Sequence, residues 1–147
     1  MESGGAARDN ARAMSEENVE IVREAIARFN RDGFLPEDLF DPEVELFNIR
    51  ESPLPGPYRG YEGLREWREG VFEVLEEGQF EIDDDLIDVD EAGLVIYKMR
   101  LLGRAKHTGL DFNRGWTTVQ WLRQGRIYRS ESYTNHAEAL EAAGVSG

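Results

Sequence analysis

The 147-residue sequence contains no cysteine. That absence excludes disulfide staples, thiol nucleophiles and thiolate metal sites. Basic residues are scarce: 17 Lys and Arg stand against 30 Asp and Glu, a formal net charge of −13. Nucleic acid is bound by clustered cations that displace counterions from phosphates, and an anionic membrane surface makes the same demand. Both partners are therefore disfavoured. No apolar run approaches the roughly 20 residues that span a bilayer. No basic start followed by a short apolar core marks a signal peptide. A cytoplasmic protein is the default expectation.

Hydrophobic residues make up 40% of the chain and aromatics 10%, enough for one core in one domain. Residues 1–14 are Gly/Ala-rich and lack periodicity. They read as a flexible leader, with Met14 as an alternative start, and 15–147 as the folded domain. Ser15 caps a helix with Glu16 and Glu17 in its first turn. Val19, Val22, Ile26 and Phe29 share one face of it, and Gly33 is the stop signal. Pro36 opens a short second helix through Phe40, which Asp41-Pro42 breaks. Val44 to Ile49 reads as a strand. Either Val44, Leu46 and Asn48 face inward, or Glu45, Phe47 and Ile49 do. Ser52 to Pro57 is a rigid loop. A third helix, Tyr61 to Leu75, buries Leu64, Trp67, Val71 and Val74.

From Gln79 the period changes to two. Strands are predicted at 80–89, 94–106, 111–123 and 126–134, with a short helix over 137–143 and Gly144 as its C-cap. The order is helix, helix, strand, helix, then a four-strand meander. That is an α+β fold with helices gathered on one face of a curved sheet. Val95, Tyr97, Met99, Leu101, Gly103 and Ala105 form one uncharged strand face and belong inside. A two-residue Gln124-Gly125 turn pairs Arg123 with Arg126 and sets the register of the last hairpin. Extended without interruption, it puts Thr117, Val119 and Trp121 inside with Tyr128, Ser130 and Ser132. Trp116, Thr118 and Gln120 then lie outside with Arg129, Glu131 and Tyr133. A one-residue slip would exchange the sets.

Five segments carry a family resemblance: SEENVEIVREAIARFN (15–30), DPEVEL (41–46), YRGYEGLREW (58–67), QGRI (124–127) and YTNHAEALEAAG (133–144). In these the chain resembles the SnoaL-like polyketide cyclases of the nuclear transport factor 2-like superfamily. The resemblance covers nearly everything after residue 14, and its motifs cap and pack the fold without carrying chemistry. It implies a cone-shaped α+β barrel, its curved antiparallel-rich sheet and three helices enclosing a pocket, with a short C-terminal helix and often a dimer. Members include cyclases, ketosteroid isomerases, dehydratases, epoxide hydrolases and non-enzymes. Carried over by position, the isomerase base falls at Leu46 and the oxyanion acid or cyclase acid/base near Thr117. The hydrolase carboxylate falls at Ser132, and its Arg and Asp pair near Met99 or Leu101 and Gly103. Hydroxyl or apolar groups thus stand where relatives keep carboxylates, and a neutral hydroxyl is a poor acid or base.

His107 and Asp111 are the candidate catalytic pair, since an imidazole oriented by a carboxylate is a serviceable proton shuttle. His107-Thr108-Gly109 resembles a His-containing bend of the family's cyclases. The aspartates at 83, 84, 85, 88 and 90 do not match a calcium loop, which needs Gly at its sixth position and Glu at its twelfth. They read as a solvated strand face. His136 reads as a surface residue. No metal and no cofactor is called for. Candidate ligand-binding residues are Asn48, Trp67, Tyr97, Thr117, Tyr128 and Ser132, which suit an amphipathic pocket. Aromatic and charged side chains mix on the outer sheet face, which suits a homodimer through Trp116, Gln120, Arg129, Glu131 and Tyr133. Three functions follow: a binder of a small, largely apolar molecule; a cofactor-independent cyclase, isomerase or hydratase; or a non-catalytic dimerisation module.

Overall fold

The structure is a computed structural model. It describes residues 3–89 and 93–144, with side chains for residues 16–83 and 93–144. Helix α1 runs Ser3–Asp32, so its backbone takes in most of the segment that reads as a leader. Its buried face carries Val22, Ala25 and Phe29. Gly33, at φ 78°, closes it and donates its N–H to Phe29 O. The short second helix predicted after Pro36 is a single 3-10 turn, Glu37–Leu39.

Strand β1 spans Phe40–Phe47, and the two-residue β2, Tyr58–Arg59, pairs with it across the 52–57 loop. Asp41-Pro42 does not end the strand. It coincides with a register irregularity between Phe40 and Glu45 where β1 meets its parallel neighbour. Helix α2, Gly60–Val74, buries Gly63, Leu64 and Trp67. Gly63 packs so tightly that a β-carbon there would lie 2.6 Å from the carbonyl carbon of Tyr58.

The remaining strands are β3 (Leu75–Val89), β4 (Leu94–Ala105), β5 (Asp111–Arg123) and β6 (Arg126–Tyr133), followed by α3 (His136–Ala142). Together they make an open six-stranded sheet in the order β2-β1-β6-β5-β4-β3, antiparallel except for β1 against β6. The architecture is the α+β arrangement expected from the sequence. Helix α3 is capped by Asn135, whose Oδ1 accepts from the backbone N–H groups of Ala137 and Glu138.

Two cores result. The concave face buries Val95, Tyr97, Met99 and Leu101 of β4 against α1 and α2. Leu94, Ile96 and Val119 form a second cluster on the convex face, covered by Ala139 and Leu140 of α3. The alternation of β4 is thus read correctly from sequence on both faces.

The last hairpin departs from its predicted register. Gln124 and Gly125 both have positive φ, 51° and 74°, as a tight two-residue turn requires. Arg123 pairs with Arg126 and Leu122 with Ile127, as expected. The next pair is Trp121 with Arg129, so Tyr128 is the extra residue of a β-bulge. Beyond it Gln120 faces Ser130 and Thr118 faces Ser132. The bulge leaves Ser130 and Ser132 on the concave face but turns Trp116, Thr118 and Gln120 inward beside them. Thr117, Val119 and Trp121 move to the convex side, opposite to the expectation.

Candidate functional site

Between α1, α2 and the concave sheet lies a cleft of two adjoining chambers. The inner chamber is small, about 60 Å³, and the outer one measures about 290 Å³. Asn48, Trp67, Trp116 and Ser132 line both and form the threshold between them. Strand β1 therefore uses its Val44, Leu46, Asn48 face inward, with Leu46 and Asn48 on the inner wall.

One wall is aromatic. Phe80 stands 5.8 Å from Trp67, 5.0 Å from Phe29 and 6.3 Å from Trp116 between ring centroids. Such tilted and offset contacts are the preferred aromatic geometries. The opposite wall is a neutral polar band supplied by β4, β5 and β6. Trp116 Nε1 donates to Thr118 Oγ1 at 3.0 Å, and Thr118 Oγ1 lies 3.1 Å from Ser132 Oγ and 3.2 Å from Met99 Sδ. Gln120 Nε2 donates to Ser130 Oγ at 3.2 Å. Trp67 Nε1 donates to Asn48 Oδ1 at 2.9 Å, and Asn48 Nδ2 donates to Leu54 O, also at 2.9 Å. Tyr97, only 2% exposed, lines the inner chamber, and burial pushes its phenol well above the ordinary tyrosine range.

Among the described residues lining the inner chamber there is no carboxylate, imidazole or cation. Among the described residues lining the outer chamber, Arg114, exposed at the rim, is the one that carries a charge. This arrangement can hold and orient a neutral molecule.

The sequence candidates divide accordingly. Asn48, Trp67, Tyr97 and Ser132 line the cleft together. Thr117 and Tyr128 do not. Thr117 sits under α3, its Oγ1 3.0 Å from His136 Nδ1, and Tyr128 lies under the Arg123 guanidinium. His107 and Asp111 are exposed in the β4–β5 hairpin, outside both chambers, and neither makes a side-chain hydrogen bond among the described residues. Leu46, Met99 and Ser132, the positions where the resemblance places carboxylates or their partners, do reach the inner chamber. Near Thr117 it is Trp116 and Thr118 that face it. Sequence reasoning missed Thr118, Gln120 and Trp116 as wall residues because the bulge at Tyr128 has no strong local signature. Of the acidic run, Asp83 pairs with Arg100 at 3.5 Å, and the side chains of residues 84, 85, 88 and 90 lie outside the described residues. No cluster of metal-ligating side chains occurs among the described residues.

The predicted dimer face is likewise divided. Trp116 and Gln120 point into the cleft. Arg129, Glu131 and Tyr133 stay on the convex face, where the Arg129 guanidinium lies 4.8 Å from the Phe47 ring and 6.0 Å from Trp121. Arg129 also pairs with Glu45 and Glu131, and Glu131 accepts from the Tyr133 hydroxyl.

No protein-family model matches the chain, and no curated protein matches it. Solved structures do. A candidate SnoaL-like polyketide cyclase from Jannaschia sp. CCS1 superposes with a TM-score of 0.69 at 14% identity, over 91% of this chain and 96% of that one. An NTF2-like protein of unknown function from Burkholderia pseudomallei K96243 gives 0.70 at 18% identity, over 85% and 95%. A protein with a ketosteroid isomerase-like fold from Catenulispora acidiphila DSM 44928, solved in complex with trimethylamine, gives 0.67 at 16% identity, over 86% and 94%. The chain therefore has the nuclear transport factor 2-like fold. In fold it is similar to the candidate SnoaL-like cyclase over 91% of its length, in keeping with the sequence resemblance. No helix among the described residues is long and apolar enough to cross a membrane.

Proposed function

We propose that this protein binds a small, largely apolar molecule in the two-chambered cleft and holds it without proton transfer. The observation that carries this reading is the lining: an aromatic wall facing a band of neutral hydroxyl and amide groups, open through a chamber of about 290 Å³. Ligand sites are typically concave, mostly apolar and furnished with a few convergent polar groups, at roughly 300 Å³ and upward. The structural neighbour solved with trimethylamine is one case of a small molecule held by a protein of this fold. The acid–base alternative on His107 and Asp111 draws no support, because both lie outside the cleft. In this reading the protein works in the cytoplasm. Homodimerisation then uses the convex face around Arg129, Glu131 and Tyr133, with Phe47 and Trp121 replacing Trp116 and Gln120.

The test is a thermal-shift screen of neutral aromatic and alicyclic molecules. Binding at a hundred times Kd adds about 2.7 kcal/mol and raises Tm by about 5–10 °C. The rise should grow with the logarithm of ligand concentration above Kd, survive His107→Ala and Asp111→Asn, and vanish when Ser132→Phe fills the threshold. A screen without any concentration-dependent rise contradicts the reading, as does a rise that depends on His107.

A further inference from the structure

We propose that the cleft takes an amphipathic carboxylate, its apolar body in the outer chamber and its carboxylate held at the rim by Arg114. This rests on the reading of the cleft as a binding site and adds the charge and the orientation of its occupant.

Strand alternation sets Arg114 in an apolar wall. Phe112, Arg114 and Trp116 are alternate residues of β5, and all three line the outer chamber. Leu101, the ladder partner of Arg114, lines it too. Leu54 and Val74, both more than half exposed, form an apolar lip. A cation in such a wall lays its methylene stem along the apolar surface and keeps its head in water. Arg114 is accordingly exposed. Its charge is felt by the Glu51 carboxylate, which lies in sequence between Ile49 and Ser52 of the chamber lining.

That charge is uncommitted. Carboxylates are in surplus, and seven arginines pair with one. Among the described residues, however, Arg114 makes neither an ion pair nor a side-chain hydrogen bond. Glu51 accepts instead from Thr134 Oγ1 at 3.0 Å.

Shape and charge then select the occupant. The planar fork of a guanidinium matches the two oxygens of a carboxylate. The inner chamber has no cation among its described lining residues and disfavours an anion, so the apolar end enters first. The outer chamber, at about 290 Å³, is nearly twice the cavity of about 150 Å³ that accommodates benzene, so a body of two fused rings fits. The net charge of −13 opposes any anion, but charges beyond about 8 Å are largely screened at physiological salt, and a rim contact is not. An exposed pair of this kind is worth about three- to fivefold in affinity.

The experiment titrates the full chain, at pH 7 and physiological salt, with three naphthalenes of similar shape: anionic 2-naphthoate, neutral 2-acetylnaphthalene and cationic 2-naphthylmethylammonium. The carboxylate is expected to bind about three- to fivefold more tightly than the ketone, with the ammonium weakest. Arg114→Gln should abolish the advantage of the carboxylate, and Arg114→Glu should rank the ammonium above it. In the wild type, the arginine Nε–H resonance that Arg114→Gln removes should move with 2-naphthoate and stay in place with the ketone. A ketone that binds as well as the carboxylate, an ammonium that binds best, an advantage that survives Arg114→Gln, or an Arg114 resonance unmoved by 2-naphthoate overturns the assignment, while binding of the ketone still reports the pocket. Failure of all three to bind overturns this assignment and the pocket together.

Discussion

Trp67 donates its indole N–H to the side-chain oxygen of Asn48 at 2.9 Å, and this single bond ties helix α2 to the end of strand β1 across the mouth of the cleft. The same Asn48 donates to Leu54 O, and its backbone N–H donates to Pro55 O at 2.9 Å, so it also anchors the 52–57 loop. The amide presents its acceptor and its donors on separate atoms, Oδ1 toward the Trp67 indole and Nδ2 toward the Leu54 carbonyl.

Asn48→Ala should therefore cost about 2 kcal/mol of stability, because it leaves the Trp67 N–H and the Leu54 carbonyl without their partners. Urea unfolding with an unchanged m-value measures it. A loss below about 0.5 kcal/mol would mean that water replaces both bonds without penalty.

Gly63→Ala should destabilise the protein although alanine is the better helix former. Its β-carbon would approach the Tyr58 carbonyl carbon to 2.6 Å, and the obstacle is backbone rather than a flexible side-chain end. The expected loss is about 1–3 kcal/mol, as for other overpacked sites. Thermal unfolding in parallel with Gly70→Ala provides the control, since the nearest atom there lies at 3.9 Å.

The bulge at Tyr128 makes a third prediction. Val119 is fully buried beneath α3, whereas Tyr128 is half-buried against Arg123. Val119→Asp should prevent folding or cost more than about 3 kcal/mol, since it buries an unpaired charge. Tyr128→Ala should cost less than about 1 kcal/mol. The uninterrupted register makes both residues cleft-lining and gives no reason for α3 to respond to Val119.

That hairpin also marks where the sequence stops being legible. The β4 alternation from Leu94 to Ala105 separates the two cores correctly, because a period of two with one charged face has a single reading. The Gln124-Gly125 turn is legible because its residue types match the positive φ it needs. The bulge is not. It inserts one residue without a glycine or proline to announce it, and everything beyond it on one strand changes face. Asn48, Trp67, Tyr97 and Ser132 face the cleft, whereas the uninterrupted register misplaces Thr117 and Tyr128. His107 and Asp111 attract attention as residue types, but sequence cannot show that their hairpin projects away from the cleft.

Alkaline pH should weaken the fold through two tyrosines. Burial and the adjacent Glu131 carboxylate push Tyr133 from 10.0 up to about 12, and burial pushes Tyr97 in the same direction. A folded-state pKa above the unfolded one means that folding favours the protonated phenol. The stability so conferred is complete below pH 10 and is lost as pH rises from there through about 12. Urea midpoints taken at about pH 9 and pH 11 should differ, and Tyr133→Phe should shrink the difference. Equal midpoints would show that the phenols titrate alike in both states.

The chain has three tryptophans, and their placement permits a direct test of the cleft as the binding site. Trp67 and Trp116 line both chambers, while Trp121 packs on the convex face beside Arg129. The deciding measurement is a titration of 15N-labelled protein with 2-acetylnaphthalene, followed through the three indole N–H resonances. The account predicts saturable shifts of the Trp67 and Trp116 signals with Trp121 unmoved. Shifts confined to Trp121, or no saturable shift at any indole, would contradict it.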